Sequence, residues 1–69
     1  MDKQRFNAYK KFIEDHGKAN LTQLVTYTAS NEFITKRFLT ELIKSGLIDK
    51  KGCYYYLNKK GVNLWESKL

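Results

Sequence analysis

Six side chains between Asn31 and Lys44 offer the densest chemistry in the chain: Asn31, Glu32, Lys36, Arg37, Thr40 and Lys44. Lys and Arg can donate to guanine, a carboxamide can pair with adenine, a carboxylate can accept from cytosine, and a hydroxyl can serve either role. The same cations can instead touch only phosphate, since half or more of such contacts go to the backbone. For Lys36, Arg37 and Lys44 both roles stay open. Ser30 and Thr22, with the free amides at helix starts, can hold phosphates. Lys50 and Lys51 add two more cations, and Tyr54 or Tyr56 a phenolic hydroxyl.

Charge singles out the same region. The 69 residues carry a formal charge of +6. Between Lys36 and Lys60 stand seven basic residues against Glu41 and Asp49, which is +5 of the total. Residues 1–35 hold five basic and four acidic residues. A basic surface confined to one region suits a polyanion, nucleic acid first, and the alternative is a solvated surface that keeps the protein soluble.

Composition excludes other classes. The chain is 42% hydrophobic and 14% aromatic, which is enough for one folded domain spanning residues 1–69. Cys53 and His16 are each single, so neither a disulfide within the chain nor a structural zinc site can form from them. The seven carboxylates are scattered, and Glu14 and Asp15 are helical neighbours that do not face each other. No phosphate loop is present. The expectation is therefore a non-enzyme without metal, cofactor or small-molecule ligand. No apolar run approaches the ~18–20 residues of a membrane span, and MDKQRF lacks the apolar core of a signal peptide. Together with the lone thiol this predicts a reducing, cytoplasmic, nucleoid-associated protein.

The elements that would position these residues follow from periodicity. Phe6, Tyr9, Phe12 and Ile13 recur on one side of a helix over about 2–16, with Asp2 before it and Gly17 after it. Lys18-Ala19-Asn20 is a connector or a fragment of strand. Asn20 or Thr22 can cap a second helix, about 21–28, whose apolar side is Leu21, Leu24, Val25 and Tyr27. Thr28 to Asn31 form a turn, and Ser30 or Asn31 can cap a third helix over about 31–45. Its apolar stripe is read as Ile34, Phe38, Leu39, Leu42 and Ile43. Phe33 is expected to pack on the second helix, because an exposed Phe is costly. The alternative is contact with a thymine methyl group. Gly46 ends this helix. Two strands follow over about 47–57 with Lys51-Gly52 at the bend, and alternation puts Cys53, Tyr55 and Leu57 toward the core. Asn58 can cap a last helix over about 59–69, with Val62, Trp65 and Leu69 on one face and Leu64 close by.

This order resembles a winged helix-turn-helix: three helices, a short two-stranded wing and a C-terminal helix, in a mainly α, α+β domain. The string LTELIKSGLI looks like the exit from the third helix of many winged-helix regulators, with Gly-Leu-Ile opening the wing. YYYLNKKG is similar to the way such wings end, and KANLTQLV to small archaeal members of the superfamily, which include regulators and chromatin-associated proteins. Together these matches span Lys18 to Gly61.

The resemblance implies a double-stranded DNA-binding protein, a transcriptional regulator reading the major groove with the helix over 31–45. Ser30, Asn31, Glu32, Lys36, Arg37, Thr40, Lys44, Lys50, Lys51 and Tyr54 are its expected contact residues. It also implies a homodimer, here through the terminal helices, with Trp65 and Leu69 or Phe6 and Tyr9 available for the contact. The alternatives are a winged-helix module that binds protein, or a non-specific chromatin-associated DNA binder.

Overall fold

Every helix in this chain begins with a short polar side chain, and each is in place in the computed structural model, which describes residues 2–67. Asp2 Oδ1 accepts from the Arg5 amide at 3.1 Å and opens α1 (Lys3–His16). Asn20 and Gln23 form a reciprocal capping box at 2.8 and 3.0 Å and open α2 (Leu21–Thr28). Asn31 Oδ1 accepts from the Ile34 amide at 2.8 Å and opens α3 (Glu32–Lys44). Asn58 Oδ1 accepts from the Gly61 amide at 3.0 Å and opens α4 (Lys59–Ser67). Such caps satisfy amides that the helix itself cannot, at about 1 kcal/mol each. Lys68 and Leu69, expected to continue the last helix, lie outside the described residues.

The helix ends are equally local. Gly17, with φ +82°, stops α1 by donating to the Ile13 carbonyl. After α3, Leu47 N–H donates to Leu42 and Gly46 N–H to Ile43, each at 3.0 Å, with Gly46 at φ +78°. This is a Schellman turn, and it places Leu47 against the helix it leaves. The turn after α2 is of the same kind, with Ser30 N–H donating to Val25, but its left-handed position is Ala29 at φ +51°. There a Cβ is crowded and the backbone is strained.

Three strands form one antiparallel sheet in the order β1-β3-β2: β1 (Ala19–Asn20), β2 (Ile48–Lys51) and β3 (Tyr54–Leu57). The domain is α+β and mainly helical. The expected two-stranded hairpin is thus a three-stranded sheet, because Ala19 pairs with Tyr55 and Asn20 with Tyr54. The bend sits one residue later than the sequence suggested, at Gly52-Cys53, with Gly52 at φ +62°. Cys53 consequently leaves the strand and is exposed rather than core-facing. Tyr55 takes the inner position at 5% exposure, and Leu57 is half-buried.

The core lies between the helices and the inner face of this sheet. Phe6, Tyr9 and Ile13 come from α1, Leu24 from α2, and Leu39 and Leu42 from α3. Ala19, Leu47, Ile48, Tyr55 and Val62 complete it. The Trp65 ring meets Phe6 edge-on at 4.7 Å, Tyr9 meets Phe38 at 5.5 Å, and Lys10 pairs with Glu66 at 3.0 Å. Phe6 and Tyr9 are fully buried, so they have no surface to offer a second copy, contrary to their expected place in a dimer contact.

Two corrections concern α3. The stripe facing the core is Thr35, Leu39 and Leu42, with Phe38 half-buried beside it. Ile34 (45%) and Ile43 (36%) lie at its edges and are exposed. Phe33, expected to be buried, is 73% exposed. The phase of the helix explains this: Leu39 and Leu42 set the inward direction, and at ~100° per residue Phe33 falls nearly opposite. On α2 and α4, Tyr27 and Leu64 are likewise exposed rather than on the packed face.

α4 is seated by a glycine. A Cβ at Gly61 would collide with the Gly46 carbonyl oxygen and stand 2.8 Å from its carbonyl carbon. The backbone of α4 therefore lies directly on the turn that ends α3. Gly61 lies in the first turn of α4, and this close approach is what its missing side chain permits.

Candidate nucleic-acid interface

The outward face of α3 can be read from its inward one. Opposite Thr35, Leu39 and Leu42 run Phe33, Arg37, Thr40 and Lys44, all exposed. These four follow one another at spacings of four, three and four, a continuous stripe along the helix. Lys36 and Glu32 lie to one side of it and Glu41 to the other, also exposed. Among the described residues, no carboxylate lies within 4.0 Å of Lys36, Arg37 or Lys44; the ion pairs present join Lys10 to Glu66 and Lys11 to Asp15. The α3 cations are therefore free to meet an external anion.

Several of the expected site residues have part of their hydrogen-bonding capacity committed. Asn31 Oδ1 holds the Ile34 amide. Bidentate pairing with adenine needs both the oxygen and the nitrogen of a carboxamide, so it would have to use the second lone pair of an oxygen already held at the cap. Thr40 Oγ1 donates to the Lys36 carbonyl at 2.9 Å and keeps only its acceptor capacity. Ser30 Oγ accepts from Arg5 Nη1 at 3.2 Å and keeps its proton to donate. Glu32 stands in the first turn of α3, where a carboxylate favours the positive end of the helix dipole.

On the sheet, strand alternation separates two residues that adjoin in sequence. Lys50 pairs with Tyr55 on the helix-packed face, and Lys51 pairs with Tyr54 on the outer face. The two cations thus point to opposite sides and do not act on one surface together. The Lys50 and Lys51 ammonium groups each lie 5.9 Å from a ring centre, over Tyr55 and Tyr56 respectively. Tyr54 is half-buried beneath the Lys18 ammonium, 4.3 Å from its ring centre, and at that distance cation–π attraction holds the pair.

Sequence reading passes over two residues, Lys18 and Arg5. Lys18 joins the outer sheet face because Asn20 pairs with Tyr54, a register that the two-residue strand scarcely announces. Arg5 reaches from α1 to Ser30 and lies 5.9 Å over the Phe38 ring, across twenty-five residues of chain, with no local signal. Phe33, for which packing on α2 is expected and contact with a thymine methyl is the alternative, is exposed.

Comparisons with protein-family models, curated proteins and solved structures returned no match for the chain. Among the described residues, no helix is long and apolar enough to cross a membrane.

Proposed function

We propose that this protein binds double-stranded DNA through a winged helix-turn-helix domain, with α3 in the major groove, and acts as a transcriptional regulator. The observation that carries the reading is the outward stripe of α3: exposed, holding Arg37 and Lys44 without acidic partners, and stiffened by a capped helix. The groove is ~12 Å wide and admits one helix. The element order supports the same reading, since α2 and α3 are joined by a three-residue turn and a hairpin follows directly. Arg37 and Lys36 supply donors for guanine or phosphate, Lys44 for phosphate, and Ser30 and the Asn31 amide for the backbone near the start of α3. Lys51 and Lys18, on the outer sheet face, add cations beside the wing.

A mobility-shift titration of duplex DNA tests this. Arg37→Ala and Lys36→Ala are expected to weaken binding by tenfold or more, while Lys3→Ala, an exposed cation of α1, leaves it within a factor of two. Neutralising about five phosphates gives a log–log salt slope of about −4 to −5. Equal losses from all three variants would show that charge alone binds, and would remove α3 from the groove. Selection from random duplexes then separates a sequence-specific regulator from a general chromatin-type binder.

A further inference from the structure

Phe33 is more exposed, at 73%, than any other large apolar side chain described. Burying a Phe gains ~1.5–3 kcal/mol, so a fold with room to spare would turn it inward. It forms no ring-to-ring contact among the described residues, and it takes no part in the core cluster. Nor does it extend into an apolar patch. Ile34 and Ile43, the other exposed apolar residues of α3, lie at opposite edges of the helix. The stripe beyond Phe33 continues as cation, hydroxyl and cation: Arg37, Thr40 and Lys44. A surface built to dock a protein helix would continue apolar. This one offers a single apolar ring at the N-terminal end of a basic helix face.

The major groove of duplex DNA presents one matching group. It is polar along almost all of its floor, except for the C5-methyl of thymine. We infer that Phe33 contacts a thymine C5-methyl and makes α3 selective for thymine at the position next to the base pair that Arg37 addresses. The inference rests on the groove-reading function proposed above and supplies its specificity. Side chains four residues apart on a helix have Cβ atoms ~5–6 Å apart. Stacked base pairs are ~3.4 Å apart, so Phe33 and Arg37 reach neighbouring pairs. With Arg37 donating to the O6 and N7 of guanine, the pair of side chains selects a thymine beside a guanine. The ring needs no hydrogen-bond partner of its own, which suits a position where Asn31 Oδ1 is committed to the cap.

Deoxyuridine isolates the methyl group. Two short duplexes of one sequence, with thymine in the first and deoxyuridine at every thymine position in the second, match in charge and hydrogen-bonding edges. Fluorescence anisotropy with each duplex, at one salt concentration, gives affinities for the native protein, Phe33→Ala and Arg37→Ala. The native protein is expected to prefer the thymine duplex by about fourfold, the worth of burying one methyl group. Phe33→Ala should bind both duplexes equally and unfold at an unchanged temperature, because the position is exposed and Ala favours a helix. Equal binding of the native protein to both duplexes, with Arg37→Ala still weakened, overturns the role of Phe33 and leaves groove reading standing. A preference that persists in Phe33→Ala also overturns it. Failure of the native protein to bind either duplex at low salt overturns groove reading itself, and this inference with it.

Discussion

α1 and α3 are nearly equal in length, each capped by an Asx side chain, and each carries aromatic and basic residues. They use them in opposite ways. α1 turns Phe6 and Tyr9 fully inward, and ties Lys10 to Glu66, Lys11 to Asp15 and Arg5 to Ser30. α3 turns Phe33 outward and leaves Lys36, Arg37 and Lys44 without acidic partners among the described residues. The same residue types thus stabilise the domain in one helix and stand presented to solvent in the other. Amphipathicity alone does not say which polar face is engaged within the molecule and which is left to solvent. That depends on the neighbours each helix meets.

The largest test of this contrast exchanges one Phe for Ala in each helix. Phe6→Ala removes a fully buried ring that packs on Trp65 and is expected to cost about 3–5 kcal/mol. A domain this small has about that much in total, so the variant should be largely unfolded at 25 °C by circular dichroism. Phe33→Ala should change stability by less than about 0.5 kcal/mol. Comparable losses from both would place Phe33 in the core and end the contrast.

Gly61→Ala probes the support of α1 from its other side, since α4 carries Trp65 and Glu66 to that helix. The new methyl would meet the Gly46 carbonyl, and backbone on both sides leaves no flexible atom to yield. Overpacking of this kind is expected to cost about 1–3 kcal/mol. A chemical-denaturation midpoint equal to that of the native protein would show that α4 does not sit on that turn.

Ala29→Gly has the smallest expected effect and the opposite sign. It relieves the left-handed strain before α3 and should stabilise by about 1 kcal/mol, or ~4–8 °C in melting temperature for a domain of this size. DNA affinity should not change, because no side chain of the α3 stripe is altered. A fall in melting temperature would mean that Ala29 does not occupy the left-handed position.

The element framework was legible because its signals are local. A cap needs only the residue three positions on, and Asn20, Asn31 and Asn58 each find that partner within their own helix start. A left-handed helix end needs only a Gly in the right place, as at Gly17 and Gly46. The apolar periods of α1 and of Leu39 and Leu42 follow from the repeat of the helix. What failed was phase and count. Spacing assigns Ile34 and Ile43 to the stripe, and the cost of exposing a Phe assigns Phe33 to the core, yet a stripe is only as wide as its partners make it. α3 packs on just enough of the domain to cover Thr35, Leu39 and Leu42. Two residues, Ala19 and Asn20, were too few to declare a strand until Tyr54 and Tyr55 paired with them.

Residue order by itself determined where helices start and stop, that the chain is mainly helical with a short hairpin, and that positive charge gathers after Thr35. These depend on backbone preferences and on interactions within a few residues. Only the tertiary structure decided that Thr35 lies inside and Phe33 outside, that Lys50 and Lys51 part company across the sheet, and that Arg5 reaches Ser30. The physical reason is that burial is a property of pairs of surfaces. A helix offers the same residues in every environment, and the neighbours that close over one side of α3 leave the other as an exposed stripe of one apolar ring and two cations.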